Sequence, residues 1–198
     1  RLGCPFISIR SSMHPPDELL TAPFPSGLWS AMQAVPDLLF EPRAGLTAPA
    51  LAAFQAYWPY EVPADVVAWS RLVSYVPIGS QLLSSAETDD AGYSPYVVFA
   101  QSRWLEQGWL VVGGDGSGDF YVVLTAPGPT RGLVCFIDQD NTDRLAYAVA
   151  SHFVPFLRLL AASESGALAH HWPFDARSYA AADPHFTSLV PKELLPWR

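Results

Sequence analysis

The chain has 198 residues, half of them hydrophobic, and a formal net charge of −8. That length fits one domain with extensions, and the acidic balance excludes general nucleic-acid binding, which needs basic surface to neutralise phosphates. No run reaches the roughly 18 apolar residues of a membrane span, and the two cysteines, Cys4 and Cys135, are too few for a disulfide-rich scaffold. A cytoplasmic protein with neither membrane association nor cofactor is the resulting expectation.

Residues 1–25 read as irregular, because prolines cut "SSMHPPDELLTAPFP" into short pieces. A short helix is expected over Leu28–Leu39, interrupted by Pro36. Thr47 then reads as the N-cap of a helix that tolerates Pro49 in its first turn. Leu51, Phe54 and Trp58 share one face of that helix, and Pro59 ends it. Pro63 closes the linker, Asp65 reads as the next cap, and Val66, Trp69 and Val73 line the following helix, with Leu72 beside them. Residues 79–94 are polar and turn-like, and carry the acids Glu87, Asp89 and Asp90.

The period changes beyond this point. Tyr96–Gln101, Trp109–Gly113, Phe120–Thr125 and Gly132–Asp138 read as strands. Their connections are too short for a crossover helix, so neighbours should be antiparallel, and four strands each paired with the next would form a meander. A helix follows, starting either near Asn141 or at Ser151. The second is preferred, with Ser151 as cap and Pro155 at the fourth position, because proline in a helix interior costs about 3 kcal/mol. Cys135 sits in the apolar run "GLVCFID" and reads as a buried thiol. The tail from residue 166 shows no clear element, only aromatic residues suited to packing.

Chemistry-bearing motifs are sparse. "GGDGSGD" is glycine-rich, but it leads into a strand and contains no lysine, so it is neither a phosphate loop nor a dinucleotide fingerprint. Asp115 and Asp119 lack the full calcium-loop pattern, as does "DQDNTD". The simpler reading is a hairpin turn built on Gly113, Gly116, Gly118 and Asp119, with aspartates bonded to backbone amides. His14, His152, His170, His171 and His185 show no ligand spacing. No nucleophile elbow or paired C-x-x-C is present, so no catalytic, cofactor or metal residue is assigned.

The order of elements resembles the SMI1/KNR4 family of the SUKH superfamily. "LAAFQAYWPYEVPADVVAWSRL" fits its helix, its linker ending in an apolar-Pro step (Val62-Pro63) and its second helix. "WLVVGGDGSGDFYVVL" fits its Gly-x-x-Gly-x-Gly-Asp-aromatic segment through Gly113, Gly116, Gly118, Asp119 and Phe120 or Tyr121. "VASHFVPFLRLL" fits its Ser-Phe-x-x-Phe-Leu helix loosely, through Ser151, Phe153, Phe156 and Leu157. The usual acid of the first helix and the Asn-Gly after the second are absent. The likeness spans roughly Leu46 to Leu160. It suggests an N-terminal extension over 1–40, a family domain over 41–165 and a C-terminal extension over 166–198 that packs on the same domain.

The resemblance implies an α+β fold with a central, mostly antiparallel sheet and helices packed on one side. It also implies a non-enzymatic binding role. Bacterial relatives are immunity proteins that neutralise toxins, often nucleases, by direct complex formation, and fungal relatives act in cell-wall signalling. The expected partner is then a toxin domain with a basic surface, met by Glu87, Asp89, Asp90, Asp115, Asp138 and Asp140, with Trp104 beside the loop "LEQG" as an aromatic anchor. Two alternatives stay open: a scaffold or regulatory protein of the same type, and a hydrolase using Asp119 with one of the histidines.

Overall fold

The computed structural model describes residues 23–33, 43–78, 81–84, 102–115, 117–168 and 173–197. The opening helices follow from local signals. Helix α1 (Leu28–Gln33) buries Leu28, Trp29 and Met32; residues 34–42, with Pro36, lie outside the described set. In α2 (Ala48–Tyr57) the Thr47 hydroxyl accepts from the Ala50 N–H at 3.4 Å, and Leu51 and Phe54 face inward. Helix α3 (Ala64–Leu72) buries Val66 and Trp69. Its cap is Pro63, and Asp65 lies inside the first turn, where its carboxylate accepts from the Val66 N–H at 3.0 Å. An acid there still complements the positive helix end.

The sheet has seven strands in sequence order: β1 (Arg43–Ala44), β2 (Val73–Ile78), β3 (Gln81–Ser84), β4 (Trp109–Asp115), β5 (Phe120–Leu124), β6 (Val134–Ile137) and β7 (Tyr147–Ala150). Every neighbouring pair is antiparallel. The α+β class and the antiparallel sheet are therefore as expected, and the meander is longer than expected. Val73 opens a strand and does not extend α3. Ile78 pairs with Gln81, so β2 and β3 form a hairpin where a turn region was expected. The segment 96–101 lies outside the described residues, and the place beside β4 that the four-strand meander gives it is held by β3.

Neighbouring residues of a strand face opposite sides of the sheet. Tyr121 meets Phe156 of helix α5 (Phe153–Glu164), with ring centroids 5.0 Å apart. Helices α1 and α3 pack against α5; Trp69 makes an edge contact with Phe153 at 6.2 Å. On the opposite face Phe120 receives Trp104 from the short helix α4 (Ser102–Gln107), at 5.3 Å. Cys135 faces that side with Val122, is fully buried, and has its thiol pKa pushed far up by desolvation. A thiol so placed is inert packing.

Two contacts tie the helical layer to the sheet. The Thr125 hydroxyl donates to the Gly108 carbonyl at 2.8 Å and accepts from the Trp58 indole N–H at 2.9 Å, so a buried hydroxyl is fully used. Gly45 passes so close to α3 that a Cβ there would overlap the Arg71 carbonyl, while Leu46 N–H bonds to the Ser70 carbonyl at 2.7 Å. Only glycine permits that approach.

Helix α5 begins at Phe153 with His152 as the cap residue, one position later than the sequence suggests, and Pro155 is its third residue. The first turn needs no proline N–H, so the ring fits without a broken bond. Ser151 is thereby released from capping. Its N–H and hydroxyl both bond to Asp183, at 2.6 and 2.7 Å. Asp183 ends helix α6 (Ala176–Ala182), which is followed by α7 (Phe186–Leu189) and a 3-10 turn over Lys192–Leu194. The tail thus holds regular elements that the sequence does not advertise. Tyr179 of α6 stacks on Phe186 at 4.0 Å, and both are completely buried.

Candidate functional site

The acidic residues of two connections meet at one end of the sheet. Asp115 closes β4, and its carboxylate accepts from the N–H groups of Ser117 at 2.8 Å and Asp119 at 3.1 Å. Asp119 opens β5 and accepts from the Gln139 N–H at 2.8 Å. Asp138 follows β6 and accepts from the Asp140 N–H at 2.7 Å, starting a 3-10 turn over Gln139–Asn141. Short acidic side chains bonded to nearby amides are a common way to set a turn. Asp119 does more, because its bond runs from the β4–β5 connection to the β6–β7 connection.

The loop glycines have conformational reasons. Gly113 lies in β4 opposite Tyr121, where the register shifts, and Gly116 is outside the described residues. Gly118 has φ +101°, and a Cβ there would lie 2.7 Å from Gln139 Oε1. That contact is with the end of a flexible side chain, so backbone strain dominates. Gly118→Ala is expected to cost about 1–2 kcal/mol, read as a lower denaturant midpoint at unchanged slope. A change below ~0.3 kcal/mol would show that the turn relaxes to negative φ.

The Asp119 carboxyl is raised above the ordinary aspartate value. Desolvation is the main cause; the Gln139 N–H opposes it, and the charges of Asp115 and Asp138 add to it. The folded state therefore holds this proton more tightly than the unfolded chain does. The resulting stability is fully present below about pH 3.9, the unfolded value, and is lost as pH rises through the higher folded pKa. The cluster is a small liability at neutral pH. Asp138→Asn retains a capping oxygen and removes one charge, so the Asp119 carboxyl 13C titration should move to lower pH. An unmoved titration would show that the Asp138 charge has no part in the shift.

The other predicted contact residues are distributed differently. Asp140 is exposed, while Asp115, Asp119 and Asp138 are half-buried. Asp143 is an exposed acid of the same connection that sequence reasoning passed over, and it pairs with Arg103 at 3.6 Å. Glu87, Asp89 and Asp90 lie outside the described residues. Trp104 is not a surface anchor. It is 1% exposed and donates its indole N–H to the Thr142 carbonyl at 2.7 Å. The stretch "LEQG", a loop by the sequence, is helical through Gln107, and the helix Ser102–Gln107 carries Trp104 inward.

Among the described residues no three His, Cys, Asp or Glu side chains are placed to hold a metal ion. Nor, among them, is any helix long and apolar enough to cross a membrane. His152 and His185 line a pocket with Asp183, not with Asp119; His170 and His171 fall outside the described set.

A family model, the SMI1 / KNR4 family (SUKH-1), matches residues 45–159, more than half of the chain. No curated protein and no solved structure gives a significant match. The matched span runs from the Gly45 contact through strands β2 to β7, with the glycine-aspartate turn, into α5. By that match, the chain belongs to the SMI1/KNR4 (SUKH-1) family.

Proposed function

We propose that the protein is a non-enzymatic immunity protein that binds and neutralises a cognate bacterial toxin, with the acidic end of the sheet facing a basic toxin surface. Family membership supports the class of role. The convergence of Asp115, Asp119, Asp138 and Asp140 from two connections is the observation that carries the choice of surface. Nuclease domains present basic surface to their substrates, and complementary potentials chiefly raise association rate and specificity.

The acids divide into two kinds for a test. Asp115, Asp119 and Asp138 hold backbone N–H groups, so reversing them would disturb the turn. Asp140 is exposed, and the turn uses its backbone N–H. The test is co-purification with the toxin encoded beside the gene, followed by the double variant Asp140→Lys, Asp143→Lys, both exposed on the β6–β7 connection. Association should slow by roughly tenfold at low salt, with the difference shrinking as ionic strength rises. Unchanged association by the folded variant would remove the acidic end as the contact surface. Failure to bind any neighbouring toxin would favour the scaffold reading.

A further inference from the structure

A second polar constellation lies at the other boundary of the family match, where the tail meets α5. Ser151 Oγ is 2.7 Å from Asp183 Oδ1 and 2.8 Å from His152 Nδ1, while Ser151 N–H points to Asp183 Oδ2 at 2.6 Å. Asp183 is 1% exposed. An ionised carboxylate only accepts, and a serine hydroxyl has one proton to give. That proton goes to Asp183. The 2.8 Å contact can then be a hydrogen bond only if His152 donates through Nδ1.

We infer that Asp183, acting through Ser151, fixes His152 as the Nδ1–H tautomer and leaves Nε2 as a hydrogen-bond acceptor at a ligand pocket. The order differs from a hydrolase triad, in which the histidine takes the serine proton. Here Ser151 is spent on Asp183 and is not a nucleophile. Asp183 and Ser151 are positioning residues, and His152 is the group offered outward. The pocket has a volume of about 390 Å3 and is walled by Val154 and Pro155 of α5 and Pro184 of the tail. The charged and titratable groups facing it are Asp65 from α3, Arg158 from α5, and Asp183 and His185 from the tail. A neutral imidazole with a free Nε2 accepts from a hydrogen-bond donor, and that is the ligand class the site takes.

The relay has a polarity that one atom reverses. In Asp183→Asn the fixed Ser151 N–H demands the amide oxygen, so the amide NH2 must face Ser151 Oγ. The hydroxyl then accepts from the amide and gives its proton to His152 Nδ1. The tautomer flips to Nε2–H, and the pocket is offered a donor. Ser151→Ala removes the acceptor for Nδ1–H and should also release the ring to the Nε2–H form that free imidazole favours.

The readout is the 15N spectrum of the His152 ring in the whole protein, taken on the neutral form of the ring at alkaline pH. Wild type should show a protonated Nδ1 and a bare Nε2 in at least roughly tenfold excess, the ratio expected from one charge-supported hydrogen bond. The two variants should show the reverse. A wild-type spectrum with Nε2 protonated overturns the inference. So does an Nδ1–H tautomer that persists in either folded variant, because a merely structural clamp would lower stability and leave the tautomer alone. If both variants fail to fold, the wild-type spectrum decides by itself.

Discussion

Trp104→Ala is expected to destabilise the protein by about 3–5 kcal/mol, the range for emptying a buried aromatic site. The ring is almost wholly buried, packs edge-on against Phe120 at 5.3 Å, and spends its N–H on the Thr142 carbonyl. Removing it opens the sheet face that Trp104 shares with Val122 and Cys135. The melting temperature should fall by roughly 10 °C, since each kcal/mol shifts a chain of this size by a few degrees. Trp104→Phe keeps most of the apolar area and loses the hydrogen bond, so it should cost about 1–2 kcal/mol. A contact anchor would behave differently: alanine would weaken partner binding and leave stability within ~0.5 kcal/mol.

The second large effect is expected at Asp183. Asp183→Ala strands the Ser151 N–H in a buried site and leaves the hydroxyl only His152 Nδ1 to turn to; a lost bond to a charged acceptor costs about 1.5–3 kcal/mol. A total near 3 kcal/mol is expected after relaxation. Because Ser151 and Asp183 act as one unit, Ser151→Ala in the Asp183→Ala background should add little, leaving a coupling of about 1–3 kcal/mol in the double-mutant cycle. Strictly additive losses would show that the tail is held elsewhere, by its aromatic stack alone.

The sequence announces some of these elements and conceals others, for identifiable reasons. Helix α2 carries its own cap at Thr47, its stop at Pro59 and a regular inward face, so it is readable residue by residue. Strands β4, β5 and β6 are apolar runs separated by glycine-rich turns. The β2–β3 hairpin is concealed because α3 passes into β2 with no intervening turn residue, Leu72 being helical and Val73 extended. Pro77 argues further against a strand, although Gly-Ser at 79–80 is a usable two-residue hairpin signal. Strand β7 is "YAVA", whose alanines favour helix; pairing with β6 decides it. The turn role of Asp119 is readable from its glycines. Its bond to Gln139 needs the β5–β6 register, and the Ser151–Asp183 contact joins residues 32 apart in a tail with no visible period.

The sequential order of the strands has a kinetic consequence. Each strand needs only its neighbour in the chain, so β4, β5 and β6 can zip through closures of a few residues, which cost little loop entropy. Helix α1 is different, because it packs on α5 across roughly 120 residues of intervening chain, a closure entropically dearer than any within the meander. That contact belongs late on the folding route. Trimming Met32, fully buried in α1, should accordingly speed unfolding and leave the refolding rate nearly unchanged, whereas trimming Val122 in the middle of β5 should slow refolding itself. The α1 seam would then be the first place where the native protein opens.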